Sequence, residues 1–426
     1  MKRIVNPPTN TWPELCQRPQ LELDFLEGNV NNILERVRKS GDAAVLELTQ
    51  KFDGVTLENL QVTESEITAA VQSLSGELKA AILTAAKNIE VFHAAQKRSV
   101  EKIETMPGVT CWRKATPIQK VGIYIPGGTA PLFSTVLMLA IPARLAGCKE
   151  VILCSPPDKK GFINPAILFA AQLTGVTKIF KVGGAQAIAA MAFGTELIPS
   201  VSKIFGPGNQ YVTKAKQLVS QQGIAIDMPA GPSEVLVIAD ENSNPAFVAA
   251  DLLSQAEHGI DSQVVLVSTT QTILDKVQSE VANQLVSLPR KELALEALNN
   301  SLSISFAGET AMIDFVNAYA PEHLIINTAN NKDLEEKIIN AGSIFLGAYT
   351  PEAAGDYASG TNHTLPTNAF AKAFGGVSLE SFTKYITVQE ITKAGLQVIG
   401  PVVETMAEAE QLKAHAQAVR VRLSFK

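Results

Sequence analysis

Only five histidines occur among the 426 residues, and four of them stand in the second half beside acids, amides or glycines. The first cluster is Ser254-Gln255-Ala256-Glu257-His258-Gly259. Asn244 and Pro245 mark a helix start and Gly259 a stop, so Gln255 and His258, three apart, share one face of the last turn. An amide oxygen and an imidazole can both ligate a divalent metal, although a histidine at the negative end of a helix dipole needs none. The second cluster, Pro351–Thr367 (PEAAGDYASGTNHTLPT), shows no regular period and holds Asp356 and His363. A long structureless stretch inside a compact chain points to metal or substrate contact. In Pro321-Glu322-His323 a carboxylate and an imidazole open a strand side by side, two candidate bases for proton transfer near neutral pH. On a regular strand they would face opposite sides; they converge only if they lie in the turn before it, which Pro321 favours. Glu410 and His415 fall on a C-terminal helix, where five residues span about 500° of rotation, so they diverge if it is continuous. His93 sits in a helical stretch with little polar company and reads as structural. Two histidines and a carboxylate from His258, His323, His363, His415 and Asp356 suit zinc, iron, cobalt or manganese. The residues support a metal-assisted α/β enzyme and do not reach a substrate.

Four cysteines, Cys16, Cys111, Cys148 and Cys154, lack C-x-x-C spacing, so neither a Cys-rich zinc site nor disulfides in a reducing compartment are expected. A thiol can hold an aldehyde during its oxidation, but Cys148 and Cys154 flank the apolar strand Val151–Leu153, where buried inert thiols are common. With 46% hydrophobic and 18% charged residues the chain folds into ordinary cores rather than remaining disordered. A net charge of −6 without a run of Lys or Arg offers no nucleic-acid surface. The first sixteen residues lack the apolar stretch of a signal peptide, and the most apolar segment, Thr135–Leu145, contains Pro142 and is about half a membrane span. The expectation is a cytoplasmic protein without membrane contact.

The elements that must position these residues change character along the chain. Asn29–Phe52 and Gly76–Lys97 show helical spacing, and Thr63-x-x-Glu66 is a capping box opening another helix. From about Gln119, short β-branched runs alternate with Ala-rich segments. Strands are expected at Val121–Ile125, Glu150–Cys154, Lys178–Val182, Lys203–Phe205 and Ala225–Met228, with helices such as Leu132–Ala146 and Ala185–Phe193 between them. A second set follows at Glu234–Ala239, Gln263–Val267, Leu302–Phe306, His323–Asn327 and Ser343–Leu346, and a last helix runs from Pro401 to about Val419. Such alternation means parallel sheets wrapped by helices, here two α/β units of similar size. Three glycine turns, Pro126-Gly127-Gly128, Gly183-Gly184-Ala185-Gln186 and Gly206-Pro207-Gly208-Asn209, let a nucleotide phosphate approach a helix N-terminus, though none is G-x-G-x-x-G.

The motifs resemble those of the histidinol dehydrogenases. Ile226-Asp227-Met228-Pro229-Ala230-Gly231-Pro232-Ser233-Glu234, continuing to Ser254–His258, is similar to that family's long signature segment. VGIYIPGGTAPLFSTV, KVGGAQAIAA, FGPGN, APEHLI, GDYASGTNHTLPT and LKAHAQAV extend the match in order over nearly the whole chain. The resemblance implies NAD-dependent oxidation of L-histidinol through histidinal to L-histidine, the last steps of histidine biosynthesis, with two NAD reduced and one Zn2+ per subunit. It implies that Gln255, His258, Asp356 and His415 ligate the zinc and that Glu322 and His323 transfer protons. Ser233, His363 and Glu410 would join His323 and the four ligands in touching substrate, and Tyr124, Gln186 and Asn209 would touch NAD.

The implied fold is two incomplete Rossmann-like domains with parallel sheets plus small helical terminal segments, in an intertwined homodimer. His415 and Glu410 would enter the partner's site, so the C-terminal helix need not serve its own chain. The expected division is a 1–20 extension, a discontinuous domain of 21–105 with 235–375, a second domain of 106–234, and a C-terminal part of 376–426. Three other readings stand beside this one. A dehydrogenase of another amino alcohol would differ around Ser233, His363 and Glu410, which here match. A zinc hydrolase, with Glu322 activating water, would need no NAD, and an idle binding protein would be expected to lack Glu322 or His323.

Overall fold

Strand residues that alternate between two buried faces place each sheet in the middle of three layers. In the computed structural model, which describes residues 1–19, 24–127, 131–228 and 231–425, two parallel sheets are built this way. The strands are β1 (Lys2–Val5), β2 (Lys102–Met106), β3 (Val109–Pro117), β4 (Lys120–Tyr124), β5 (Glu150–Ser155), β6 (Lys178–Lys181) and β7 (Lys203–Phe205). After them come β8 (Ala225–Ile226), β9 (Glu234–Ala239), β10 (Gln263–Ser268), β11 (Leu302–Ser305), β12 (His323–Asn327), β13 (Ser343–Leu346) and β14 (Thr383–Ile391). One sheet runs β6-β5-β4-β7-β8 and the other β1-β11-β10-β9-β12-β13. Without β1, both have one order: the first strand central, the next two to one side, the last two to the other. Two units of like construction, expected from the sequence, are therefore present.

The period of two is visible in the packing. Val121 and Ile123 of β4 face one apolar layer while Tyr124 faces the other; in β9, Val235 and Val237 oppose Leu236 and Ile238. The expected strands appear within a few residues of their observed ends, and the Thr63 capping box forms with Glu66.

The domain assignment needs correction at both ends. Helices Asp24–Asp53, Glu64–Ser73 and Gly76–Ala94 cover the five-stranded sheet and not the six-stranded one. Leu26, Val30 and Leu48 pack with Ile152 and Phe180, and Ile82 and Ile89 with Val121 and Leu153. Periodicity shows which face of a helix is apolar but not which sheet it meets. The six-stranded sheet is already covered, by helices within 245–299 on one face and by Glu309–Tyr319 with Trp12 and Leu15 on the other. Residues 1–20 are also more than an extension, since β1 pairs with β11 from Lys2↔Leu302 to Val5↔Ser305.

The terminal part is not purely helical. β14 joins β3 and β2 in a three-stranded antiparallel sheet, which the sequence reading did not foresee because its side chains are largely exposed and follow no buried alternation. The last helix is two, Lys393–Ala409 and Lys413–Ser424, broken where Gln411 takes φ 60°. Gly128, Thr129 and Ala130, and Pro229 and Ala230 of the signature segment, lie outside the described residues. Among the described residues no helix is long and apolar enough to cross a membrane.

Gly206 shows how tightly the five-stranded sheet is closed. It follows β7 with φ 120°, where a Cβ would overlap the carbonyl oxygen of Tyr124 at the end of β4. Its N–H donates to Asp227 Oδ2 at 2.9 Å, and its carbonyl accepts from Lys216 Nζ at 2.9 Å. Lys216 and Asp227 are themselves a buried ion pair. Gly206→Ala should therefore cost about 2 kcal/mol or more, read as a lower urea midpoint; an unchanged midpoint would show that the sheet end can relax.

Candidate active site

The helix after β9 runs Pro245–Ala256 with Asn244 capping Ala246 N–H, and returns Gln255 to the amino ends of the strands. His258 lies just beyond its end, its N–H donating to the Gln255 carbonyl at 3.2 Å. Glu322 and His323 sit at the same amino ends, where β12 pairs with β9 in the register His323↔Val235. Glu322 precedes the strand and His323 is its first residue, so the two converge: His323 Nδ1 is 3.6 Å from Glu322 Oε2. After β13 the chain turns back as a short helix, Glu352–Tyr357, in the segment the sequence reading left structureless. Six residues are too few to show a helical period. Glu352 and Asp356, four apart, share its inner face. His323 Nδ1 is 3.7 Å from Glu352 Oε1, and His323 Nε2 is 3.4 Å from Asp356 Oδ1.

The donor atoms of His323, Glu352 and Asp356 lie within 4.8 Å of one another, a grouping that could hold a metal ion. Glu352, absent from the sequence-based candidates, is buried in this group and accepts a hydrogen bond from the Gln255 amide nitrogen. That bond leaves the Gln255 oxygen, the end able to ligate a metal, to face the Glu234 N–H at 3.3 Å. The i, i+4 spacing of Glu352 and Asp356 was the available hint, legible only once the helix is known. Ser233 is half-buried just before β9.

Electrostatics follow from burial. Loss of water pushes Glu322 and Glu352 each up to about 8. Burial alone would pull His323 down, but the charges of Glu352, Glu322 and Asp356 outweigh it and hold the imidazole well above its ordinary value. Burial also raises Asp356, and there His323 wins, leaving that carboxyl below its usual range. His258 and His363 are both lowered by burial, which keeps them neutral. His363 Nδ1–H donates to the Asp356 carbonyl at 2.7 Å, and its Nε2 accepts from Thr135 Oγ1 at 3.0 Å, tying the site to the helix Phe133–Ala146 of the other unit. Thr135 was not among the expected site residues.

Tyr124, Gln186 and Asn209 come together elsewhere, around a cavity of about 790 Å³ at the carboxyl ends of β4 and β7, where the strand order reverses. Gly184 N–H donates to Tyr124 Oη at 3.0 Å, and Asn209 Oδ1 caps the helix Gln210–Ser220. Glu410 and His415 are not brought to the cluster. The break at Gln411 removes the continuous helix on which they were expected, and both side chains are exposed, without a hydrogen bond or ion pair to the cluster among the described residues. His93 is structural as expected: wholly buried, with Nδ1 on the Ile89 carbonyl at 2.8 Å.

The thiols are poor nucleophiles. Cys154 is wholly buried and held far above its ordinary value, and burial pushes Cys148 up to about 11. At about pH 8, iodoacetamide should spare both in the native protein and label all four cysteines after unfolding. Rapid native labelling of Cys148 or Cys154 would reopen the thiol reading.

Comparison with known proteins identifies the family of the chain. A family model described as histidinol dehydrogenase matches residues 16–423. The chain is 60% identical over 424 residues to the histidinol dehydrogenase of Bacteroides thetaiotaomicron, covering 100% of this chain and 99% of that one. It is 53% identical over 414 residues to that of Escherichia coli O6:H1, with 96% and 94% covered. The crystal structure of histidinol dehydrogenase from Elizabethkingia anophelis matches with a TM-score of 0.98 at 56% identity, over 99% of this chain and 98% of that one. Alike in sequence and in the course of its backbone, the chain belongs to the histidinol dehydrogenases, a family of oxidoreductases.

Proposed function

We propose that the chain oxidises L-histidinol through histidinal to L-histidine, reducing two NAD, with one zinc per subunit, as a cytoplasmic homodimer that shares its active sites. The observation that carries this reading is the setting of His323. Its Nδ1 donates to the Glu234 carbonyl at 3.3 Å, which leaves Nε2 to face the site beside Asp356. In its neutral form, which positive charge brought to Asp356 would favour, an imidazole held this way takes the proton of the substrate alcohol at Nε2. Glu322, buried beside it, is a stronger base when ionised than a carboxylate in water and draws a proton from the water that hydrates the aldehyde.

The donor set fits zinc: an amide oxygen turned by Glu352, a neutral imidazole and an ionised carboxylate from Gln255, His258 and Asp356, with His415 supplied by a second copy. When bound, the metal would anchor and orient the imidazole and amine of histidinol and offset the negative charge of the site. Ser233 and His363, with Glu410 of the second copy, would complete the substrate contacts. Tyr124, Gln186 and Asn209 would hold NAD, the hydride acceptor, in the switch-point cavity, a site that a zinc hydrolase would not need. The short glycine turns fit a cofactor that leaves and is replaced between the two oxidations.

Homodimerisation is supported by what the C-terminal part leaves uncovered. Ile386, Val398, Val402 and Met406 are 46–60% exposed, in the part of the chain that carries Glu410 and His415. Four free cysteines suit a reducing compartment, and recovery of the protein from a secreted or membrane fraction would contradict the cytoplasmic placement.

Purified protein should form two NADH per L-histidinol, lose this on chelation and regain it with zinc; one NADH with histidinal released would refute the two-step reading. The shared site predicts complementation. Glu322→Gln and His415→Ala homodimers should each be nearly inactive. Mixed and reassembled, they should recover about a quarter of wild-type activity, because one site in each mixed dimer has both residues intact. No recovery from correctly reassembled dimers would place each site within a single chain.

A further inference from the structure

We infer that Arg18 is a positioning residue for Glu322 and His323, acting through Glu234; the inference rests on the proposed catalytic roles of that pair. Glu234 opens β9 and is wholly buried. It touches both members of the pair. Its N–H donates to Glu322 Oε2 at 2.9 Å, its carbonyl accepts from His323 Nδ1 at 3.3 Å, and its carboxylate accepts the Glu322 N–H at 3.2 Å. The placement of one side chain and one imidazole nitrogen thus depends on where Glu234 sits.

A buried carboxylate needs a partner in place of the water it has lost. Arg18 supplies it in a two-pronged contact, Nε to Oε2 at 2.5 Å and Nη2 to Oε1 at 2.9 Å, with both side chains almost without solvent contact. Arg18 also holds the other side of the turn. Nη2 donates to the carbonyls of Tyr319 at 2.7 Å and Ala320 at 3.4 Å, the residues that lead into Pro321-Glu322-His323. Its guanidinium lies 3.6 Å from the centre of the Tyr319 ring, and Nη1 is satisfied by the Cys16 carbonyl at 2.7 Å. Ala320 needs such support, since its φ of 52° is one that side-chain-bearing residues rarely adopt. The planar fork serves the carboxylate and three carbonyls at once, which the single ammonium of lysine cannot do. A residue from the amino-terminal segment, remote in sequence from the site, thereby sets the orientation of the proton-transfer pair.

The test compares Arg18→Met and Arg18→Lys with the wild type as zinc-loaded dimers, alongside Glu322→Gln and His323→Asn. Arg18→Met should lower kcat by about tenfold to a hundredfold. KM for histidinol should stay within about threefold, because the substrate contacts are untouched. Zinc content should not change, and Arg18→Lys should fall between the two. If Arg18→Met does not fold, Arg18→Lys and Glu234→Gln carry the same expectation. Folded Arg18 variants with wild-type kcat, or a loss that merely tracks missing zinc, would overturn the inference. Fully active Glu322→Gln and His323→Asn would instead overturn the reading on which it rests.

Discussion

Glu234, Glu322, Glu352 and Asp356 are all largely withdrawn from water around one imidazole. Carboxylates cannot be concentrated in this way without compensation, because each loses several kcal/mol of hydration and repels the others. The structure compensates each differently. Arg18 neutralises Glu234, His323 stabilises Asp356, and Glu322 and Glu352 hold their protons into mildly alkaline pH. The β9–β12 ladder, the returning helix at Glu352–Tyr357 and the end of the helix at Gln255 all exist in positions that make this arrangement possible. A divalent cation entering the group would take over this compensation, displacing protons from His323 and the carboxyls around it.

The two sheets, alike in strand order, use opposite ends. The five-stranded sheet opens its cavity at the carboxyl ends of β4 and β7, the usual place in such folds, and lines it with glycine turns and amides. The six-stranded sheet places its charged group at the amino ends of β9 and β12. Residues 358–363 join the units: Asn88 Nδ2 donates to the Ala358 carbonyl at 2.9 Å, Asn362 Nδ2 to the Met138 carbonyl at 2.6 Å, and His363 meets Thr135. The group around His323 is thereby tied directly to the unit that carries the switch-point cavity.

Much of this was legible in the sequence because both-face burial writes apolar runs that few other elements produce; Glu234–Ala239, His323–Asn327 and Ser343–Leu346 were read to the residue. The glycine turns and the Glu322-His323 pair were legible as chemistry, and the resemblance gave them roles. What escaped had no local imprint. β1 is four residues of mixed exposure whose partner lies 300 residues away in sequence, and β14 is exposed along most of its length. Arg18, Glu234 and Glu352 acquire meaning only through contacts between distant parts of the chain, as Arg18–Glu234 does across 216 residues. The break at Gln411 rests on a left-handed residue that is not glycine, so nothing in the letters announced it.

The pairing of β1 with β11 also bears on how the protein is made. Lys2 finds its partner at Leu302, while the helices between Asp24 and Ala94 belong to the other sheet. During synthesis the first residues to emerge must stay unpaired until about three hundred more have followed, about 15 to 60 s at ordinary translation rates. The five-stranded unit, complete by Ile226, can fold in that interval with its own helices in place. The amino-terminal strand and Arg18 can dock only once β11 and Ala320 have been made, so the order of synthesis delays the contact between Arg18 and Glu234 until the five-stranded unit is complete.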